Sequence, residues 1–233
     1  MGDKMKECIK INEDTWRIED EGVRFYLLCG SQKAALIDTG MKCPDAKQIA
    51  QTLTNLPLIL INTHADPDHI SGNNAFNDFY MSSNEEGNYR AYNGQGKILP
   101  ICEDDIIDLG DRELMIIDIP GHTHGSIGII DKKNRVFISG DSVQDGKIFM
   151  FGPGRDLDQY IKSLKHLEQY ENMFDDVYPM HGTFPVNKDL IPKLIQGAQS
   201  ILDGKAMEYA SPVNIFGNDV TLYKFDYAGF LCN

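Results

Sequence analysis

Short apolar runs punctuated by polar or glycine-rich joints recur along the chain, and a helical stripe replaces them in a few places. Phe25-Tyr26-Leu27-Leu28-Cys29 and Ala34-Ala35-Leu36-Ile37-Asp38 read as strands paired through a hairpin turn at Gly30-Ser31-Gln32-Lys33. The pattern then predicts a helix from Pro44 to Leu53, with the proline near its first turn, and a buried strand over Leu58–Ile61. A helix or helical turn is expected from Ser71 to Phe79. Tyr80 to Gly96, rich in Asn, Gly, Ser and Tyr, reads as loop. Leu114–Ile119 is a further strand, and Ile127–Ile130 and Val136–Ser139 flank a second hairpin turn at Asp131-Lys132-Lys133-Asn134.

The clearest helix runs from Asp156 to Tyr170. Leu157, Tyr160, Ile161, Leu164 and Leu167 fall on one stripe, and Asp156 is a natural N-cap. A short strand at Asp176–Pro179, a helix around Lys188 to Leu202 and strands near Val220 to Phe225 complete the pattern. Hairpins and strand–helix units occur in both halves, which predicts two mixed sheets with helices outside them in one domain spanning 1–233.

Composition narrows the function classes. The chain has 233 residues, 42% hydrophobic and 24% charged, as expected of a globular protein with a sizeable core. No apolar run approaches the roughly 20 residues needed to cross a bilayer. The stretch Met1 to Lys10 is polar, so no membrane association and a cytoplasmic location are expected. A formal net charge of −13 and the lack of a Lys/Arg cluster speak against nucleic acid as a partner. Cys8, Cys29, Cys43, Cys102 and Cys232 are scattered, with no Cys-x-x-Cys pair, and read as reduced thiols. A small-molecule substrate is the expected partner, and a homodimer is compatible with all of this.

The chemistry gathers where strands end. His64-Ala65-Asp66-Pro67-Asp68-His69 sets two imidazoles and two carboxylates in six residues directly after Leu58–Ile61. The strand fixes the backbone and the loop presents the ligands, while Pro67 stiffens the loop. His122 follows the strand at Leu114–Ile119, Asp141 follows Val136–Ser139, and His181 follows Asp176–Pro179. Four of the six histidines thus occupy strand ends, and Gly121, Gly140 and Gly182 stand beside ligands where tight turns are needed. Of the other two, His124 reads as a loop hydrogen-bonding group and His166 as a solvated helix residue. Glu103-Asp104-Asp105 reads as an exposed turn and helix start, and Asp38 as a turn cap or as a support for a ligand histidine.

In these motifs the chain resembles the metallo-β-lactamase superfamily, whose signature is a His-x-His-x-Asp-His loop followed by a His, a bridging Asp and a last His. The matching residues are His64, Asp66 in place of His, Asp68, His69, His122, Asp141 and His181. Leu36-Ile37-Asp38-Thr39-Gly40 and Pro120-Gly121-His122-Thr123-His124-Gly125-Ser126 also fit the family pattern. The resemblance implies an α/β fold, a four-layer αββα sandwich of two mixed β-sheets flanked by helices. It further implies two divalent metal ions per chain, zinc above all, with iron or manganese as alternatives. One ion would be held by His64, Asp66 and His122, the other by Asp68, His69 and His181, with Asp141 bridging. A hydroxide between the ions would be the nucleophile, so Asp68 and Asp141 carry the catalytic assignment.

Asp66 departs from that pattern. It adds a third carboxylate, so the carboxylates and hydroxide cancel the charge of two divalent ions. This predicts a less acidic bridging water and a preference moved toward harder ions such as iron or manganese. A carboxylate at this place also occurs in flavodiiron proteins, which makes a diiron oxidoreductase working with a separate flavoprotein the rival reading. A non-catalytic metal-binding relative is the third. Among hydrolases, Asp141 speaks against true β-lactamases, the acidic charge against nucleases, and the scarcity of basic residues after His181 against a glutathione thioester. A small ester, thioester or lactone remains. Tyr89, Tyr92, Phe149 and Phe151 are the expected substrate contacts, from the Tyr80–Gly96 segment and from the segment after Asp141.

Overall fold

A computed structural model describes residues 6–233. They form two compact units, the first ending at Met115 and the second being Ile116–Asn233.

The first unit is built on a seven-stranded sheet in chain order. Its strands are β1 (Glu7–Asn12), β2 (Thr15–Asp20), β3 (Val23–Cys29), β4 (Ala34–Ile37), β5 (Leu58–Ile61), β6 (Asp78–Met81) and β7 (Lys97–Pro100). Strands β1 to β4 are antiparallel, and β4 to β7 are parallel. Parallel neighbours need crossovers: helix α1 (Ala46–Leu53) supplies that from β4 to β5 and α2 (Glu86–Ala91) that from β6 to β7, while β5 and β6 are joined through the segment holding the 3-10 turn Asn73–Ala75. Phe25, Leu27, Leu36 and Leu60 pack with Ala46 and Ala50 of α1 and with Phe79 and Tyr89 in one core. Arg112 is also fully buried in this unit. It donates to the carbonyls of Asp14 (2.8 Å) and Cys29 (3.1 Å) and to Thr15 Oγ1 (2.8 Å).

Ser71–Phe79, expected as a helix or helical turn, makes only the 3-10 turn Asn73–Ala75, and Asp78 already belongs to β6. The buried Asn73 side chain is bonded to Asn62, which holds the segment in a turn. Tyr80–Gly96 is not a loop, because it holds the end of β6, a 3-10 turn at Ser83–Glu85 and α2. Ser82 Oγ accepts from Asn84 N–H to start that helical stretch, and Tyr89 anchors it in the core; Gly87 and Asn88 mask it in the sequence.

Strands β8 (Ile106–Asp108) and β9 (Glu113–Asp118) form a hairpin, and β9 carries the chain into the second unit. The helix start expected at Glu103-Asp104-Asp105 is absent; these residues lie in a turn, with Cys102 N–H donating to Asp105.

In the second unit β10 (Ile127–Asp131) and β11 (Val136–Ile138) pair antiparallel, and β13 (Asp176–Tyr178) lies parallel to β11 with β14 (Val186–Asn187) outside it. A further sheet has the order β12 (Lys147–Met150), β17 (Gly229–Cys232), β16 (Asn218–Lys224), β15 (Ala210–Ile215). The described residues therefore hold three sheets rather than two; β16 of the small C-terminal one was expected near Val220–Phe225, but β15 has no buried residue to mark it in the sequence pattern. Helix α3 (Leu157–Leu167) begins as predicted, with Asp156 accepting from Gln159 N–H at 2.9 Å, and α4 is Leu190–Leu202. Tyr160 packs edge-on against Phe230. Among the described residues no helix is long and apolar enough to cross a membrane.

Candidate metal centre

The loop after β5 is fixed by a network of buried polar groups. Asp38, at the end of β4, has a left-handed backbone (φ 63°) and is 1% exposed. Its carboxylate accepts from Thr63 N–H (2.8 Å), Thr63 Oγ1 (2.7 Å), Asn62 Nδ2 (3.3 Å) and His69 Nδ1 (2.8 Å). Thr63 Oγ1 donates its one proton to Asp38, so at 3.0 Å it accepts from His64 Nδ1. Both imidazoles thus carry their proton on Nδ1, and each turns an Nε2 lone pair toward a carboxylate. His64 Nε2 lies 3.6 Å from Asp66 Oδ2, and His69 Nε2 lies 3.8 Å from Asp68 Oδ1. The two rings are 4.0 Å apart, centroid to centroid. His64 and His69 are buried, whereas Asp66 and Asp68 are half-buried.

Two residues grip the peptide between His64 and Asp66. The buried Glu85 accepts from Ala65 N–H at 2.8 Å, and Asn88 Nδ2 donates to Ala65 O at 3.3 Å. Sequence reasoning missed both. Glu85 is 20 positions from Ala65, and no local pattern links a turn residue to a distant loop amide.

The second unit repeats the design with different strands. His122 Nδ1 donates to Phe149 O (3.0 Å), leaving Nε2 3.7 Å from Asp141 Oδ2. His181 Nε2 lies 3.4 Å from the same oxygen. The loop holding Asp141 is braced by Ser142 N–H to Ser139 O (3.1 Å), Met180 N–H to Gly140 O (3.1 Å) and the buried Tyr160 hydroxyl to Ser142 O (2.7 Å). Gly121 has φ 136°, and a side chain there would run into the backbone of Tyr160, so α3 can approach only a glycine. Asp145 accepts from Thr183 N–H at 2.8 Å and steadies the turn after His181. Tyr160 and Asp145 are further supports that the sequence did not reveal.

This donor set fits a divalent ion. Two ligands bound at the usual 2.0–2.2 Å and separated by a tetrahedral angle stand about 3.4 Å apart. The nitrogen–oxygen separations within each unit, 3.4 to 3.8 Å, match that spacing better than direct hydrogen bonds. Hydrogen bonds at Nδ1 fix the tautomer that presents Nε2 as a ligand.

The expected substrate contacts fare unequally. Tyr89 is 1% exposed, donates its hydroxyl to Gln95 O at 2.7 Å and packs edge-on against Phe79. It is a core residue, and its assignment as a substrate contact is corrected: the residue belongs to a helix that buries it, not to an open loop. Tyr92 stands exposed at the end of α2. Phe149 and Phe151 are half-buried, with ring centroids 5.5 Å apart. His124 is exposed.

The strand-end donor loops and the sheets that carry them define a metallo-hydrolase of the metallo-β-lactamase fold. Residues 19–181 match the family described as the metallo-beta-lactamase superfamily, and the chain belongs to that superfamily as a metal-dependent hydrolase. The fold implies divalent metal binding. In sequence the chain is 27% identical over 196 residues to acyl-coenzyme A thioesterase MBLAC2 of Gallus gallus, covering 67% of this chain and 71% of that protein. It is 30% identical over 125 residues to a probable metallo-hydrolase of Methanocaldococcus jannaschii, covering 53% of this chain and 56% of that one. A solved metallo-beta-lactamase from Pontibacter korlensis superposes with a TM-score of 0.73 at 18% identity, over 84% of this chain and 99% of the other. That likeness establishes the fold alone.

Proposed function

We propose that the chain is a binuclear metal-dependent hydrolase whose substrate is a small thioester, with simple esters and lactones as the neighbouring class. The observation that carries the reading is the repeated pairing in each unit. Imidazoles present Nε2 3.4 to 3.8 Å from a carboxylate oxygen, and three of them have Nδ1 occupied by a hydrogen-bond partner. The likeness to a protein named acyl-coenzyme A thioesterase favours the thioester.

The ligand roles in this proposal are those of the family pattern: His64, Asp66 and His122 for one ion, Asp68, His69 and His181 for the other, and Asp141 for both. When bound, the two ions supply an acidified water and polarise the carbonyl under attack. Asp68 and Asp141 would hold the ions beside the neighbouring imidazoles. Asp38, Thr63 and the Phe149 carbonyl keep His69, His64 and His122, in that order, in the ligating tautomer. Phe149, Phe151 and Tyr92 offer apolar surface to the substrate.

The test is metal quantitation coupled to a panel of acyl thioesters, aryl esters, lactones and phosphodiesters. Two ions per chain and thioester turnover abolished by chelation are expected. Chelation-insensitive turnover, or turnover confined to phosphodiesters, would overturn the proposal.

A further inference from the structure

Phe216 occupies a position that folding does not ask it to fill. It and Gly217 are the two turn residues between β15 and β16, with φ of 50° and 83°. Positive φ at both turn residues is the hairpin geometry that favours Asn-Gly, and a bulky side chain at the first of them is strained. The ring is also 89% exposed, the most exposed large hydrophobic side chain among the described residues. Strain and hydration both oppose a phenylalanine here, and such an outlier points to a use outside the turn.

The ring is not isolated. Phe216 stacks on Phe149 with centroids 6.4 Å apart and planes 20° from parallel, and Phe149 in turn meets Phe151 at 5.5 Å. Phe149 is the residue whose carbonyl accepts from His122 Nδ1. An aromatic row therefore runs from Phe151 through Phe149, whose carbonyl orients a candidate metal ligand, to a hairpin tip in solvent, with every member in the second unit. A row of flat apolar faces with no polar side chain in it suits an unbranched hydrocarbon chain, not a charged or sugar-like group.

We propose that Phe151, Phe149 and Phe216 form a shelf for the acyl chain of the substrate, and that Phe216 sets the preference for chain length. The inference rests on the thioesterase reading for the identity of the ligand, and the experiment separates the two.

The probes are non-hydrolysable S-alkyl thioethers from ethyl to octyl, carried on coenzyme A and on N-acetylcysteamine, with binding measured by calorimetry on the metal-loaded protein. Full burial of a methylene tightens binding about fourfold, so a chain lying on an open shelf is expected to gain about twofold per methylene. In Phe216→Asn, which installs the residue the turn prefers, the gain per methylene is expected to fall to near one for the outer methylenes of the longer chains while the melting temperature holds or rises.

No length dependence in the unaltered protein, or the same slope in Phe216→Asn, would overturn the shelf. A lowered melting temperature would also overturn it, because the ring would then be structural. So would a dimer that dissociates in the variant while the slope stays unchanged, because a second copy would then be the occupant. Octanoyl thioesters that bind with the Phe216-dependent slope but are not hydrolysed would keep the shelf and sink the thioesterase reading. Hydrolysis that ignores chain length would do the reverse.

Discussion

The carboxylate of Asp38 accepts a 2.8 Å hydrogen bond from Nδ1 of His69, although the two residues are 31 positions apart and both are almost fully buried. The bond fixes which nitrogen of His69 is left to bind a cation. Asp38→Asn keeps the size of the side chain and tolerates the left-handed backbone, but replaces the charged acceptor with a neutral one. Metal affinity measured by competition with a chelator is expected to fall 10- to 100-fold, the usual loss when such a partner is removed. An unchanged affinity would show that Asp38 serves only the turn.

Asp66 is the departure from the family signature, and its half-buried carboxylate lies 3.6 Å from His64 Nε2. Carboxylate-rich sites suit harder ions. Protein produced in unsupplemented medium is expected to carry iron or manganese alongside zinc, and Asp66→His to carry zinc with little of either. Elemental analysis decides this. Zinc alone in both proteins would contradict it.

Glu85 holds the Ala65 amide from across the first unit. Glu85→Ala leaves a buried N–H without its acceptor, at a cost of about 1–3 kcal/mol, whereas Glu85→Gln retains an oxygen at the same reach. The melting temperature and the number of ions bound per chain are both expected to drop in the alanine variant and to recover in the glutamine variant. Equal behaviour of the two would show that the amide contact is immaterial.

Arg112 gathers acceptors from Asp14, Thr15 and Cys29 inside the first unit. Removing it takes a charged donor from these groups, of which the Asp14 carbonyl still keeps the Cys29 N–H. Arg112→Met is expected to lower stability to urea by about 3–5 kcal/mol, the range for breaking a buried charged network. A loss below about 1 kcal/mol would mean that water replaces the guanidinium without strain.

None of the five cysteines is in a disulfide among the described residues, and burial separates their chemistry. Burial raises the Cys43 thiol to about 12 and the Cys232 thiol to about 11, and it also raises Cys8 and Cys29. Because these folded-state values lie above the unfolded ones, the thiols stay protonated through neutral pH, and the stability they lend is lost only as pH climbs past the ordinary thiol range. Brief iodoacetamide treatment at pH 7.5, read by peptide mass spectrometry, is expected to modify the exposed Cys102 first and to spare Cys43 and Cys232. Early modification of Cys43 would contradict its burial.

Strands with unbroken apolar runs were the most legible part of the fold. Leu58–Ile61 emerges with the predicted ends because its residues are apolar throughout and bounded by Pro57 and Asn62. Asp156 was legible as a cap for a local reason, since the acceptor and its amide are three residues apart. By contrast, α2 was hidden by Gly87 and Asn88, and Tyr89 looked like a loop aromatic until its partner Phe79 was in view. In the candidate site, residue types and strand-end positions were visible for His64, His122, Asp141 and His181. The groups that aim them were not, because Glu85, Tyr160 and the Phe149 carbonyl act through contacts that only tertiary structure creates, and Thr63 acts on its neighbour His64 only once the distant Asp38 takes its proton.

The protons on His64, His69 and His122 are each committed at Nδ1 to an oxygen of the protein. An arriving cation would therefore meet imidazoles already in the ligating tautomer, with no proton shuffle to wait for. Ion capture should then run at the pace of water leaving the cation rather than of protein motion, and be nearly independent of viscosity.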